Sequence, residues 1–243
     1  MRLSEFRVLT FDCYGTLVDW ETGILGALRP WAARAGVSAD DVELLAAFGE
    51  AESTAQAASP GKRYPEILRE AHGLIAASFG VAHDEAAAEA FGASVGEWPP
   101  FPDTRVALEK LHRKHQLVIV SNVDRASFAK TQERIGVTFD AVVTAEEVGA
   151  YKPDLRMFRR ALDVAEGLGA SPRQVLHVAQ SLFHDHVPAK QLQLTTVWVR
   201  RVSPRPGFGA APQPNRPVWP DIVVSTLAEL AEMEEREEAA ARA

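Results

Sequence analysis

The residues best suited to chemistry in this chain fall into four short clusters. They are Asp12-Cys13-Tyr14-Gly15-Thr16, Ser121-Asn122, Lys152-Pro153-Asp154 and Ser181-Leu182-Phe183-His184-Asp185. A carboxylate such as Asp12 attacks as a nucleophile when it is kept ionised, giving an ester or an acyl phosphate. Lys152 is the candidate cation for that task, because a nearby opposite charge lowers a carboxyl pKa. Ser121, Asn122 and loop N–H groups are donors suited to developing negative charge, with Thr16 placed to orient Asp12. Asp185 is suited to positioning water or a metal for a second step. The pair His184 and His186 does not read as a metal site, since positions i and i+2 do not share a helix face. Cys13 reads as a small buried filler.

These clusters acquire meaning from the elements before them. Short apolar, β-branched runs recur at Val8–Phe11, Leu117–Val120, Ala141–Thr144, Val175–Val178, Thr196–Val199 and Ile222–Val224. Several are apolar on both faces, as buried parallel strands are. Helix-length segments lie between them, at Thr104–His115, Ser127–Ile135, Asp154–Leu168 and His186–Leu192. Strand and helix alternating in this way predict a doubly wound α/β sheet. In such a sheet ligands bind beyond the carboxyl ends of the strands, and each cluster follows a strand.

One interval breaks the rhythm. About a hundred residues separate Phe11 from Leu117, and 20 to 98 read as Ala-rich helices with breaks at Gly36, Ser59-Pro60-Gly61 and Gly80. The stiff stretch Trp98-Pro99-Pro100-Phe101-Pro102 closes it. The expected organisation is an α/β core, residues 1–18 plus 101–243, with a helical domain inserted at 19–100. The proline-rich segment Pro204–Pro220 is expected as a long surface loop before the last strand.

Composition narrows the function classes. Lys plus Arg number 26 against 33 Asp plus Glu, for a net charge of −7, with 47% hydrophobic residues. That balance supports a packed core and lacks the basic footprint of a nucleic-acid binder. Much of the acidity lies in Glu229–Ala243, expected as a solvated helix end or frayed terminus. The single cysteine excludes a disulfide within the chain. No run approaches 18 apolar residues and no signal peptide is expected, so a cytoplasmic protein without a membrane partner is expected.

Phe11-Asp12-Cys13-Tyr14-Gly15-Thr16-Leu17 and the three later clusters resemble, in order, the four motifs of the haloacid dehalogenase superfamily. The resemblance covers nearly the whole chain and implies a Rossmann-like core with a cap domain at the helical insertion. Its phosphatases carry a second Asp two residues after the nucleophile, where this chain has Tyr14, a phenol too weakly acidic for that role near neutrality. The Asp-x-Tyr-Gly-Thr form resembles the L-2-haloacid dehalogenase branch. There Asp12 would displace halide from C2 of an (S)-2-haloacid, and water would hydrolyse the ester without a metal or other cofactor. The implied substrate is a small molecule, a short carboxylate, and the resemblance points to a homodimer.

Several positions depart from that branch. Its early cap arginine aligns near Phe48-Gly49-Glu50, where no Arg stands, leaving Arg63, Arg69 or Arg29 as substitutes. An arginine fork suits a carboxylate better than lysine does. The active-site Tyr expected six residues after Lys152 is Phe158, and Gln180 stands where phosphatases place a metal-binding Asp. Tyr14, Arg63, Phe158 and Ser181 are the expected substrate contacts. Two alternatives stay open: a Mg²⁺-dependent phosphatase using Asp12, the Tyr14 carbonyl and Asp185, and a specialised or non-catalytic member binding another small molecule.

Overall fold

A computed structural model describes residues 2–201 and 210–242. Six strands form one parallel sheet: β1 (Val8–Phe11), β2 (Gln116–Ser121), β3 (Ala141–Thr144), β4 (Val175–Ala179), β5 (Thr195–Val199) and β6 (Ile222–Val224). Their order is β3-β2-β1-β4-β5-β6, so the direction of winding reverses between β1 and β4. Phe11 pairs with Ile119 on one side and Val178 on the other, which brings the ends of β1, β2 and β4 level. β1 and β4 are buried along their whole length, as expected of continuous apolar runs in a covered sheet. The chain has the α/β architecture expected from its sequence.

Between β1 and α5 (Thr104–Leu111) lie four helices: α1 (Trp20–Ala35), α2 (Asp41–Ala58), α3 (Tyr64–Ser78) and α4 (Glu85–Ala93). Local chemistry sets their limits. Asp19 accepts from Thr22 N at the start of α1, and Gly36 ends it in the left-handed region. Asp40 and Glu43 form a reciprocal capping box on α2. The core-side helices are α6 (Arg125–Ile135), α7 (Ala145–Val148), α8 (Leu155–Gly167), α9 (Val187–Gln191) and α10 (Leu227–Arg242). Among the described residues no helix is long and apolar enough to cross a membrane.

Two expectations change. The acidic C-terminal stretch is not a frayed end: α10 buries Leu227, Leu230 and Ala231. Its Glu234 is buried, with an Oε1 to His115 Nε2 distance of 2.6 Å, and Glu237 accepts from Leu3 N at 2.7 Å. Asp103 further accepts from Leu227 N and Ala228 N, capping the helix from a neighbouring element. The second concerns the proline-rich loop. Its Pro204–Gly209 part lies outside the described residues, but Ala210 is buried beneath α2. A side chain at Gly49 would meet Ala210 O at 2.5 Å, so α2 approaches this loop more closely than any other residue permits.

Candidate active site

The site forms where the winding reverses. Asp12 follows β1 directly, and its N–H donates to Val178 O on β4. The chain then turns back on itself: the N–H groups of Thr16, Leu17 and Val18 all converge on Cys13 O. Gly15 sits at φ 92° in this turn. The turn returns Thr16 to Asp12, whose Oδ2 accepts from Thr16 Oγ1 at 2.6 Å. That hydroxyl in turn accepts from Gln180 N at 2.9 Å, which fixes the direction of its hydrogen.

Lys152 approaches from the β3 side. Asn122 grips its backbone at both ends: Lys152 N donates to Asn122 Oδ1 at 2.6 Å, and Asn122 Nδ2 donates to Lys152 O at 3.2 Å. The ammonium donates to Asp12 Oδ1 at 2.7 Å, Asp185 Oδ1 at 2.7 Å and Val120 O at 2.9 Å. An ammonium has three hydrogens, so Lys152 is fully engaged. Asp185 lies in a π-helical turn, Leu182–His186, where Ser181 is the capping residue and accepts from His184 N. Asp185 therefore caps nothing. Its Oδ1 also meets His177 Nε2 at 3.1 Å, while its Oδ2 is buried without a partner among the described residues.

Electrostatics separate the two carboxylates. Burial raises the Asp185 pKa, but Lys152 and His177 outweigh it and hold the group well below the usual carboxylate range. Burial pushes Asp12 up, Lys152 pulls it down and the Asp185 charge adds to the rise, leaving it above its ordinary value. Burial opposes the charge on Lys152, yet the two carboxylates prevail and keep it protonated. Burial lowers His184 to about 4, so it is neutral near pH 7.

Above this triad opens a small recess of about 40 Å³. It brings together Asp12, Tyr14, Ser121, Asn122, Lys152, Ser181 and Asp185 from the sequence-derived set. Thr16 stands immediately behind Asp12. Ser121 Oγ is buried with no partner among the described residues and offers a donor at the recess wall. Phe158 and Arg63 are not part of the lining. Phe158 is buried beneath β4, with its ring 5.1 Å from that of His177. Arg63 lies at the exposed start of α3, beside Glu66. Arg69 pairs with Glu85 and Glu89, and Arg29 with Asp41, so neither alternative arginine reaches the recess.

Glu52 and Gln56 on α2 and Tyr64 at the start of α3 line the opposite wall, with Trp20 beside them. Sequence reading missed Glu52, Gln56 and Tyr64, although for Glu52 a signal exists. Leu44, Leu45, Phe48, Ala51 and Ala55 form the buried stripe of α2, and Glu52 stands four residues after Phe48, inside that stripe. His177 was equally readable as a histidine within the fully buried strand β4.

The donor set does not suit a divalent cation. Asp185 Oδ1 is taken by Lys152 and His177, and an amide at Gln180 is a poorer Mg²⁺ ligand than a carboxylate. Among the described residues no group of three or more His, Cys, Asp or Glu side chains is arranged to hold a metal ion.

Comparison with known proteins decides the family. The family model described as haloacid dehalogenase-like hydrolase matches residues 6–182. This chain belongs to the haloacid dehalogenase-like hydrolases. An (S)-2-haloacid dehalogenase, H-109, of Pseudomonas putida is 25% identical over 204 residues, covering 82% of this chain and 88% of the relative. A second (S)-2-haloacid dehalogenase, 4A, of Burkholderia cepacia is 23% identical over 215 residues, covering 86% and 90%. The solved L-2-haloacid dehalogenase of Xanthobacter autotrophicus, with chloropropionic acid covalently bound, shares the fold at TM-score 0.75 and 22% identity. That match covers 95% of this chain and 98% of that one. This member of the haloacid dehalogenase-like hydrolases has Tyr14 and Gln180 in its recess and, among the described residues, no arginine lining it.

Proposed function

We propose that the chain is a metal-independent carbon–halide hydrolase of the (S)-2-haloacid dehalogenase chemical type. The observation that carries this reading is the Lys152 ammonium bridging Asp12 and Asp185, 2.7 Å from each, at the floor of the recess. Asp12 attacks the halide-bearing carbon, the carbon–halide bond breaks, and halide leaves with its electron pair. The product is an ester at the Asp12 carboxyl. Water, accepted by the unpartnered Asp185 Oδ2, then adds to the Asp12 carboxyl carbon. Lys152 and Thr16 bond different Asp12 oxygens, so the donor on the carbonyl oxygen stabilises the oxyanion that forms while the other faces the ester oxygen that leaves with the alcohol. Collapse releases the alcohol, restores the carboxylate and returns one proton to solvent.

Asn122 is assigned a positioning role through its grip on Lys152, and Ser121 Oγ is the free donor for substrate. Residues 19–100 serve as the cap and 1–18 plus 101–243 as the core, with the reaction between them excluded from bulk water.

The test is halide release in EDTA from (S)-2-chloropropionate, chloroacetate, fluoroacetate, 2-chloropropionamide and (2-chloroethyl)trimethylammonium. Release from any one of them that is abolished by Asp12→Asn supports the reading. Release from none, together with Mg²⁺-dependent cleavage of phosphate esters, sinks it.

A further inference from the structure

The recess is divided in charge and character. Its floor carries Asp12 and Asp185 against one cation, Lys152, whose three hydrogens are all committed. Its roof adds a third carboxyl, Glu52, which is 4% exposed and pairs with no cation among the described residues. The Tyr64 hydroxyl donates to Glu52 Oε1 at 2.5 Å, the only hydrogen bond to that side chain among the described residues. Without a compensating charge, burial raises Glu52 to about 7. Among the described residues no arginine lines the cavity, and His184 is neutral. With Glu52 ionised, three negative groups face one positive group, so an incoming carboxylate or phosphate meets repulsion.

The walls favour the opposite sign. Tyr14, Trp20 and Tyr64 line the same recess as Glu52, and the Tyr14 and Tyr64 rings stack with centroids 6.5 Å apart. Aromatic faces beside a buried carboxylate are the chemistry that holds an organic cation, through the ring quadrupole and a charge-assisted hydrogen bond. Two further polar atoms are buried without partners among the described residues on the floor, Ser121 Oγ and Asp185 Oδ2, and both are open to a hydrogen bond from a bound molecule.

We propose that Glu52, flanked by Tyr14, Trp20 and Tyr64, binds an ammonium group of the substrate, so that this member takes small amine-bearing molecules where its dehalogenase relatives are named for haloacids. The inference rests on the reading of the recess as the active site. It assigns Glu52 the place that an arginine would fill for a carboxylate, with the charge inverted. Gln56, one turn beyond Glu52 on α2, completes the polar edge of that wall.

The experiment compares two dead-end probes of equal size, n-propylammonium and propionate, by isothermal titration calorimetry on the wild-type chain at pH 8. The expected result is ammonium binding at least about tenfold tighter than propionate, and loss of that preference in Glu52→Gln, which keeps an acceptor for the Tyr64 hydroxyl. Propionate binding as tightly as propylammonium in the wild type overturns the proposal, and does so without any variant. Retained ammonium preference in a folded Glu52→Gln protein overturns it also. The halide-release panel keeps the two readings apart. Asp12-dependent release from haloacids without ammonium binding leaves the dehalogenase chemistry standing and removes this inference. Ammonium binding without halide release from any panel member leaves the recognition site standing on different chemistry.

Discussion

Two buried carboxyl groups on opposite walls of one recess titrate in opposite directions. Asp185 and Glu52 are both almost fully buried, at 1% and 4% exposure. Asp185 receives Lys152 and His177 and is held below the usual carboxylate range, whereas among the described residues Glu52 receives only a neutral tyrosine hydroxyl and rises to about 7. Burial alone therefore does not set the charge state of this site; the presence of a cation does. The floor is electrostatically complete before any ligand arrives. The roof is not, and that asymmetry is where substrate selection resides.

The comparison breaks most severely at Lys152. Lys152→Met would strand two buried carboxylates, and the expected cost is about 3–5 kcal/mol of stability in urea denaturation at pH 7, with activity lost. Partial recovery of stability in acid is expected, since protonation removes the uncompensated charge. Next comes Asp185→Asn. It leaves ester formation possible but removes the acceptor for water, so turnover is expected to fall on the order of 10²–10⁴-fold. Intact-protein mass spectrometry should then show an accumulated adduct of the organic group; a slow variant without adduct would place Asp185 in the first step instead.

Glu52 supplies a gentler test with a defined sign. Its folded pKa of about 7 lies above its ordinary 4.5, so its contribution to stability is complete below pH 4.5 and is lost as pH rises through 7. At 1.36 kcal/mol per unit the shift corresponds to about 3 kcal/mol between those limits. Glu52→Gln should flatten that segment of the stability–pH curve, and an unchanged slope would place an undetected cation beside Glu52. The smallest effect belongs outside the recess. Arg63, paired only with Glu66 at the surface, should be replaceable by Ala with kcat/KM and Tm unchanged. A loss of turnover there would bring α3 into the site by a motion the described geometry does not require.

Much of the fold was legible because parallel strands covered on both faces read as uninterrupted apolar runs. All six strand segments lie where those runs stand, and Gly36 ends α1 as its left-handed preference dictates. The floor of the site was legible because its residues follow strand ends, where chain connectivity forces convergence. The roof was not. Its residues converge through packing of α2 on α3, and no spacing rule links Glu52 to Tyr64. Arg63 was read as a substrate contact on chemical type alone; the helix start on which it lies directs it to solvent. Asn122 lines the recess, and its amide also grips the Lys152 backbone, a link that no spacing rule predicts. The acidic tail is a helix end, one of its two expected forms, and what charge counting hid is the buried stripe of Leu227, Leu230 and Ala231 on α10.

Asp12 is held at both oxygens, one by Lys152 and the other by Thr16. Along the proposed ester route that clamp makes the two oxygens chemically distinct for the life of the protein. One departs with the alcohol at every cycle and is replaced from water; its twin is renewed only when the carboxyl rotates about its own bond, which the clamp opposes. In ¹⁸O-water the aspartate would come to hold one heavy and one original oxygen, an isotopic memory of the handedness with which the chain was folded around its nucleophile.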